Sequence, residues 1–524
     1  MSRCLIVLAC LALSPLAQAT TLTVDTTSDA VLDACDANNI DDCSLRGAIG
    51  LANTTAGADT IEFNLTESDA GYQSATAHWR IAPATALPDV QTGPLTIDGF
   101  TQNGAAPNIN PPLFPIGHTL KIELRGPNPS SVNCLQANFV SLTVRGLVLN
   151  NCSQAIFLFE LGSHVIEGNY IGTDVTGQIA VPNRFGVALG GDVRIGGTLP
   201  AQGNVISGNS RGALVQFRHI TRLRVQGNII GPNNLQSAVP GIQDYGVQLL
   251  DHVDAVIGGT TPAEANIISG NAFNAISVSG NPQPAAGAPQ TRVIGNIIGA
   301  TFNGAPMGNG LNPGSPSQTL PSIQIGKLGY CRVAIGGTDP GEGNLIAFGG
   351  NAGVAIGSCW SAPILGNSFL ANRGLAIDLA GSNNYDGRTP NDVGDADGSG
   401  VDPFNAYAGN RFQNTAEIVS QVENAGANEL RLTVRVDSTT TSQAYPLRID
   451  FYRSNEFGIQ STAVTASYDA IDALLPREYL LTLSQFERGG AIAVTDAEGN
   501  SSELVSFGDL FSDGFEGDAP GGGN

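Results

Sequence analysis

Two short elements recur through the middle of this chain, and they constrain its fold more than any other feature. One reads IEGNYIGT (166–173), VQGNIIGP (225–232), VIGNIIGA (293–300) and, degraded, ILGNSFLA (364–371). The other reads RIGGTLPAQGNVISGN (194–209), VIGGTTPAEANIISGN (256–271) and AIGGTDPGEGNLIAFGGN (334–351). The two alternate; the first recurs at offsets of 59, 68 and 71 residues, the second at 62 and 78. Between them lie apolar runs too short for an independent sheet, many followed by Gly-Asn or Gly-Gly, which accept sharp corners. Short strands, repeated corners and a loose period describe a chain that stacks on its own previous turn and buries an aliphatic interior. Alternating βα units would need helical patterns of ten or more residues between strands, and none is present. Stacked coils are expected over 126–385, with Ile166, Val205, Ile229 and Ile267 pointing inward. The recurring Asn169, Asn228 and Asn296 could bind a ligand, but stacking at an inward corner is the favoured reading.

The N-terminus reads as an export signal over residues 1–19: Arg3, an apolar stretch Leu5 to Leu13, Pro15, then Ala17-Gln18-Ala19 at a cleavage site. Export changes the cysteine arithmetic. Of 8 cysteines, Cys4 and Cys10 leave with the signal, so 8 − 2 = 6 remain. An even number in an oxidising compartment points to disulfides without fixing their connectivity. Pairing of neighbours is expected: Cys35–Cys43, Cys134–Cys152 and Cys331–Cys359. The 18-residue spacing of Cys134 and Cys152 is about one coil, which would bring them together by stacking. A net charge of −22 repels polyanions, so a nucleic-acid partner is excluded. No internal apolar run is long enough to span a membrane.

The segment Cys43-Ser44-Leu45-Arg46-Gly47-Ala48-Ile49, followed by Ala52-Asn53 and Asp59-Thr60-Ile61-Glu62-Phe63, resembles the N-terminal signature of secreted bacterial CSLREA-motif proteins. Gly47 stands where that family usually has Glu. The NVISGN and GNxIGT repeats, and the segment Leu375 to Leu379 with Thr389 to Asp397, resemble the same group, so the likeness covers most of residues 20–410. It implies an all-β chain: a right-handed parallel β-helix of the pectin-lyase-like class, exported from the cell. It says much less about activity, because that fold hosts lyases, hydrolases, epimerases and non-catalytic adhesins. Ser44 to Asn53 itself reads as a short amphipathic helix with Leu45, Ala48, Ile49 and Ala52 on one face and Ser44 as N-cap. It is expected to lid the open end of the stack, within an N-terminal cap and first coils over 20–125.

From Thr415 onward the texture changes to alternation, as in Leu430 to Val436 and Leu447 to Phe451, which implies antiparallel strands with one wet face. Residues 413–507 are expected to form a small Ig-like β-sandwich, joined by an acidic linker at 386–412 and followed by a flexible tail at 508–524.

Motifs of polygalacturonases, pectate lyases and alginate epimerases are missing, as are GxSxG and HExxH. Two patches remain. Arg194, Arg211, Arg218, His219, Arg222 and Arg224 form a local cationic stripe, with Asp251 and Asp254 about one coil further on. Guanidinium groups pair well with carboxylates, so the stripe is a candidate glycan-binding site for a uronic-acid or sulfated polymer. Ion pairs on a solvated face are the plainer reading. Asp392, Asp395, Asp397 and Asp402 carry part of the oxygen spacing of a calcium loop; Ala406 stands where an EF-hand needs its glutamate, so only a looser Ca2+ site is a candidate. Tyr170, Phe185, Phe217 and Tyr245 are candidate sugar platforms; Trp79 and Trp360 are the only tryptophans. The sequence therefore favours a monomeric, secreted or cell-surface protein of a Gram-negative bacterium, presenting a rigid surface for adhesion to extracellular polysaccharide or a cell-surface component. The alternative is a polysaccharide lyase or hydrolase of the same fold acting on acidic glycans, with Ca2+ the one cofactor suggested.

Overall fold

The computed structural model describes residues 19–36, 38–55, 57–238, 243–250, 254–280, 291–330, 332–380, 387–396, 409–455 and 458–508. Strand makes up 43 % of the chain and helix 6 %, so the protein is nearly all β. Among the described residues, an 18-stranded sheet is parallel throughout, and a 15-stranded sheet is parallel through its middle and antiparallel at both ends. A three-stranded antiparallel sheet lies near the C-terminus. Large parallel sheets of this kind are consistent with a parallel β-helix. Between 126 and 385 the one described helical turn is the 3-10 turn Pro200–Gln202.

The repeats make these sheets by placing like residues beside like. One column of register partners runs Ile97, Val144, Ile166, Ile195, Val225, Ile257, Val293, Ile335, Ile364. A second runs Leu124, Leu149, Ile171, Ile206, Ile230, Ile268, Ile298, Ile346, Phe369. All belong to one continuous core. Full burial of each such side chain is worth about 1.5–3 kcal/mol.

Strand alternation corrects the expected facing of three residues. Ile166 points into the main core, but Val205, Ile229 and Ile267 do not. They precede the inward Ile206, Ile230 and Ile268, so the two-residue period turns them to the opposite face. Val205 and Ile229 instead join a separate apolar cluster with Ile116, Leu120, Val148 and Tyr170. Ile267 lines a small groove beside Ile116 and Ile229. The segment around Ile116 therefore covers an outer face that would otherwise be exposed.

The asparagines form a ladder. Asn169 Nδ2 donates to Asn204 Oδ1 at 3.1 Å, Asn204 to Asn228 at 2.9 Å, and Asn228 to Asn266 at 3.0 Å. The chain continues through Asn296 and Asn344 to Asn367. Members come alternately from the two repeat elements, so the structural period is half the spacing read within either one. The second element is the first with a loop inserted before its asparagine. Gly227, preceding Asn228, has φ 68°, and a Cβ there would lie 2.4 Å from the Gly197 carbonyl oxygen. Only glycine makes that corner.

The short amphipathic helix expected near the N-terminus is present. Helix Leu45–Ala52 is capped by Ser44, whose hydroxyl accepts from Gly47 N, and Leu45, Ala48, Ile49 and Ala52 are buried. A Cβ on Gly47 would meet the Leu32 carbonyl oxygen at 1.8 Å, so this chain leaves no room there for a glutamate. Arg46 ties the helix to Asp29 at 2.9 Å and to the Ala86 carbonyl at 2.7 Å. Disulfides join Cys35 to Cys43 and Cys134 to Cys152, with Cα separations of 4.4 and 5.6 Å. Cys359 is also disulfide-bonded; its expected partner, Cys331, lies outside the described residues. Of the expected export signal over residues 1–19, all but Ala19 lies outside them too, Cys4 and Cys10 included, as does the expected tail beyond 508.

At the other end, strand Ser368–Leu370 pairs antiparallel with Gly458–Tyr468, so the antiparallel strands continue the 15-stranded sheet. Tyr452, Ile459, Ala491, Ala493 and Leu504 cover the end of the main core. The opposite face packs on the three-stranded sheet around Leu432, Val434, Ile449, Phe451 and Tyr479. Glu503 sits at this junction, accepting from the Leu379 and Thr389 backbone N–H groups. Burial, which outweighs those bonds, pushes its pKa up to about 7.

Candidate functional site

Strand Gly212–Gln226 carries four of the six cationic residues singled out in the sequence, and it is not regular. Gln216 is the register partner of Leu189, and Ile220 of Gly191. Phe217, Arg218 and His219 therefore stand opposite the single residue Gly190. This is a β-bulge, a device that re-aims side chains, and all three bulged residues are exposed. Gly190 makes it possible, because a Cβ there would lie 2.8 Å from Arg218 Cβ.

Beyond the bulge the register is regular and the charges cancel. Arg222 is the partner of Asp192 on one side and Asp254 on the other, and it donates to Asp192 from Nε at 3.1 Å and Nη2 at 2.6 Å. Arg224 donates to Asp254 at 3.0 Å, and Arg194 to Glu167 at 2.8 Å. Arg211 lies 3.5 Å from Asp244, whose carboxyl is pushed up by burial and partly restored by that guanidinium. Four of the six predicted residues are thus committed to carboxylates. Asp251, the other acid singled out near the stripe, lies outside the described residues.

Arg218 differs. Among the described residues no carboxylate forms an ion pair with it, and its guanidinium lies over the rings of Phe159, at 4.6 Å from the centroid, and Phe157, at 5.8 Å. Phe217 packs edge-on against Phe185 at 5.0 Å and approaches Phe157 at 6.5 Å. Phe139 adds a fifth ring at 5.2 Å from Phe159, and Arg184 lies over Phe185 at 5.5 Å. Phe139 is 55 % exposed and Phe217 37 %. Small register partners keep the rings uncovered: Ala188 beside Phe157 and Gly212 beside Phe185. Arg218 and Arg184 over a cluster of rings make a surface that can stack on sugar rings and pair with acidic groups.

Sequence reasoning named Arg218, His219, Phe185 and Phe217 here but missed Phe139, Phe157, Phe159 and Arg184. The Phe157-x-Phe159 spacing, at the end of strand Gln154–Leu158, was the available signal. Of the other proposed platforms, Tyr245 packs on Phe273 at 5.3 Å, on the far side of Gly212 from Phe185. Tyr170 is a correction: it is fully buried, its hydroxyl lies 3.1 Å from the His118 carbonyl, and burial pushes its pKa up to about 12. It fills the outer apolar cluster because the segment around Ile116 lies over it.

Part of the acidic segment falls among the described residues. Asp395 is buried and accepts from Gln413 Nε2 at 3.0 Å and Ser438 Oγ at 2.8 Å. Asp392 accepts from the Ala396 backbone N–H at 2.9 Å. Asp397 and Asp402 lie outside the described residues. Among the described residues no group of three or more His, Cys, Asp or Glu side chains is placed to hold a metal ion.

No protein-family model matches the chain, and no curated protein matches it.

Proposed function

We propose that this chain is an exported right-handed parallel β-helix, closed at its C-terminal end by an Ig-like β-sandwich, and that it binds acidic extracellular glycans through the bulge. The observation that carries this reading is Arg218: exposed, raised by a bulge, stacked on phenylalanine rings and without a carboxylate partner among the described residues. A uronate or sulfate group would supply the missing anion while a neighbouring sugar face packs on Phe217 or Phe139. The two described disulfides fit an oxidising compartment. Binding is favoured over a lyase because Arg222 and Arg224, the residues best spaced to act as a base, already donate to Asp192 and Asp254.

The test is calorimetric titration of the purified protein with an oligogalacturonate, a sulfated oligosaccharide and a neutral oligosaccharide of equal length. Acidic chains should bind and the neutral one should bind weakly. Equal affinity for all three would remove the role of Arg218.

A further inference from the structure

The hairpin of strands Tyr72–Gln73 and His78–Ile81 carries a separate set of groups. Its turn exposes Thr76, whose hydroxyl lies 2.7 Å from His78 Nδ1. The other ring nitrogen, Nε2, lies 3.1 Å from Glu123 Oε2. His78 and Glu123 are 4 % and 2 % exposed. Burial alone would raise the Glu123 pKa, but hydrogen bonds from His78, Asn150 and Arg80 bring it down to about 2. An ionised carboxylate only accepts, so Nε2 donates to it, and in the neutral ring Nδ1 carries the lone pair. Thr76 is then the donor to Nδ1. Hydroxyl, imidazole and carboxylate stand in the order that activates a nucleophile.

Two features hold that order in place. Ala77, between the hydroxyl and the base, has φ 48°, which a residue with a Cβ adopts at a cost. Its carbonyl accepts from Lys121 Nζ at 2.7 Å, so one of the chain's two lysines fastens the strained turn and brings a positive charge to it. Arg80 Nε donates at 2.6 Å to the same oxygen, Glu123 Oε2, and Asn150 Nδ2 donates to Oε1 at 2.9 Å.

We propose that Thr76 is the nucleophile of an acyl-ester hydrolase site at this turn, with His78 as its general base and Glu123 as a positioning residue. Thr76 Oγ would attack the ester carbonyl and form a new C–O bond. Its proton would pass to His78 Nδ1 and on to the leaving alcohol as the ester C–O bond breaks. Water, deprotonated by the same nitrogen, would then cleave the acyl-threonine, releasing a carboxylic acid and returning the proton to Thr76. The turn is exposed, so the class expected is small acyl esters of accessible hydroxyl groups.

The probe is para-nitrophenyl acetate with the full chain. A burst of nitrophenolate and an acetyl adduct on the peptide containing Thr76 are expected. Thr76→Val, at an exposed position, should keep the melting temperature and lower the rate at least about 100-fold. Thr76→Ser should retain turnover and the adduct. Glu123→Gln should lower kcat about tenfold or more with KM little changed, which a purely structural role would not give. Wild-type turnover by Thr76→Val, or no adduct at Thr76 in the native chain, would overturn the proposal.

Discussion

The two halves of strand Gly212–Gln226 carry the same kind of side chain and put it to opposite use. In the regular half, both arginines reach a carboxylate on a neighbouring strand: Arg222 has Asp192 and Asp254 in register, and Arg224 donates diagonally to Asp254. In the bulged half, Arg218 has no residue squarely opposite it, because Gly190 alone spans three positions. The ladder that would deliver an acidic neighbour is interrupted there, and phenylalanine rings take its place. In this sheet, an exposed guanidinium without a carboxylate in register is found at an interruption of register, which a local count of positive charge does not reveal.

Reversing the charge at the bulge should have the largest effect. Arg218→Glu removes a charge-assisted hydrogen bond to the ligand and adds repulsion, so affinity for an acidic oligosaccharide should fall about thirtyfold or more. Titration calorimetry reads this directly. A fall within threefold would mean that the bulge is not where the glycan sits.

Restoring side-chain bulk opposite the bulge should come next. Gly190→Val forces a Cβ against the Leu158 and Phe159 carbonyl oxygens as well as Arg218 Cβ, so the bulge must shift and carry Arg218 off the rings. Affinity should drop about tenfold while circular dichroism keeps its β signature. An unchanged affinity would separate the bulge geometry from binding and leave only the charge.

The nearly all-β character with large parallel sheets, the N-terminal helix and two disulfides were legible in the sequence because each rests on a local pattern: short apolar runs with GN corners, the Leu45/Ala48/Ile49/Ala52 spacing behind Ser44, and neighbouring cysteines. The asparagine ladder was half legible. Asn169, Asn228 and Asn296 share one motif, whereas Asn204, Asn266 and Asn344 sit behind an inserted loop that disguises the same corner. The facing of Val205 and Ile229 was not legible, since both faces of those strands are apolar and the covering residues Ile116 and Leu120 lie far upstream. The aromatic patch was hidden for a related reason. Its rings come from several strands, and Asp192 meets Arg222 across 30 residues of chain. Such partners follow from register, which one missing or extra residue resets.

The smallest effect is expected in the regular half, and it bears most directly on the contrast. Arg222 is exposed and bonded to Asp192, so Arg222→Gln leaves a solvated carboxylate that water can satisfy. Exposed pairs of this kind contribute little to stability. The melting temperature should move by no more than about 2 °C, and glycan affinity by less than about twofold. Added salt should weaken ligand binding by the native chain, because the contact between Arg218 and an acidic group is exposed. It should weaken the residual binding of Arg218→Gln less, since what remains there is ring stacking and the one guanidinium of Arg184. If Arg222→Gln instead weakened binding as much as Arg218→Glu, the ligand would have to displace Asp192 from Arg222. The paired and unpaired halves of the strand would then form one surface, and the bulge would lose its special standing.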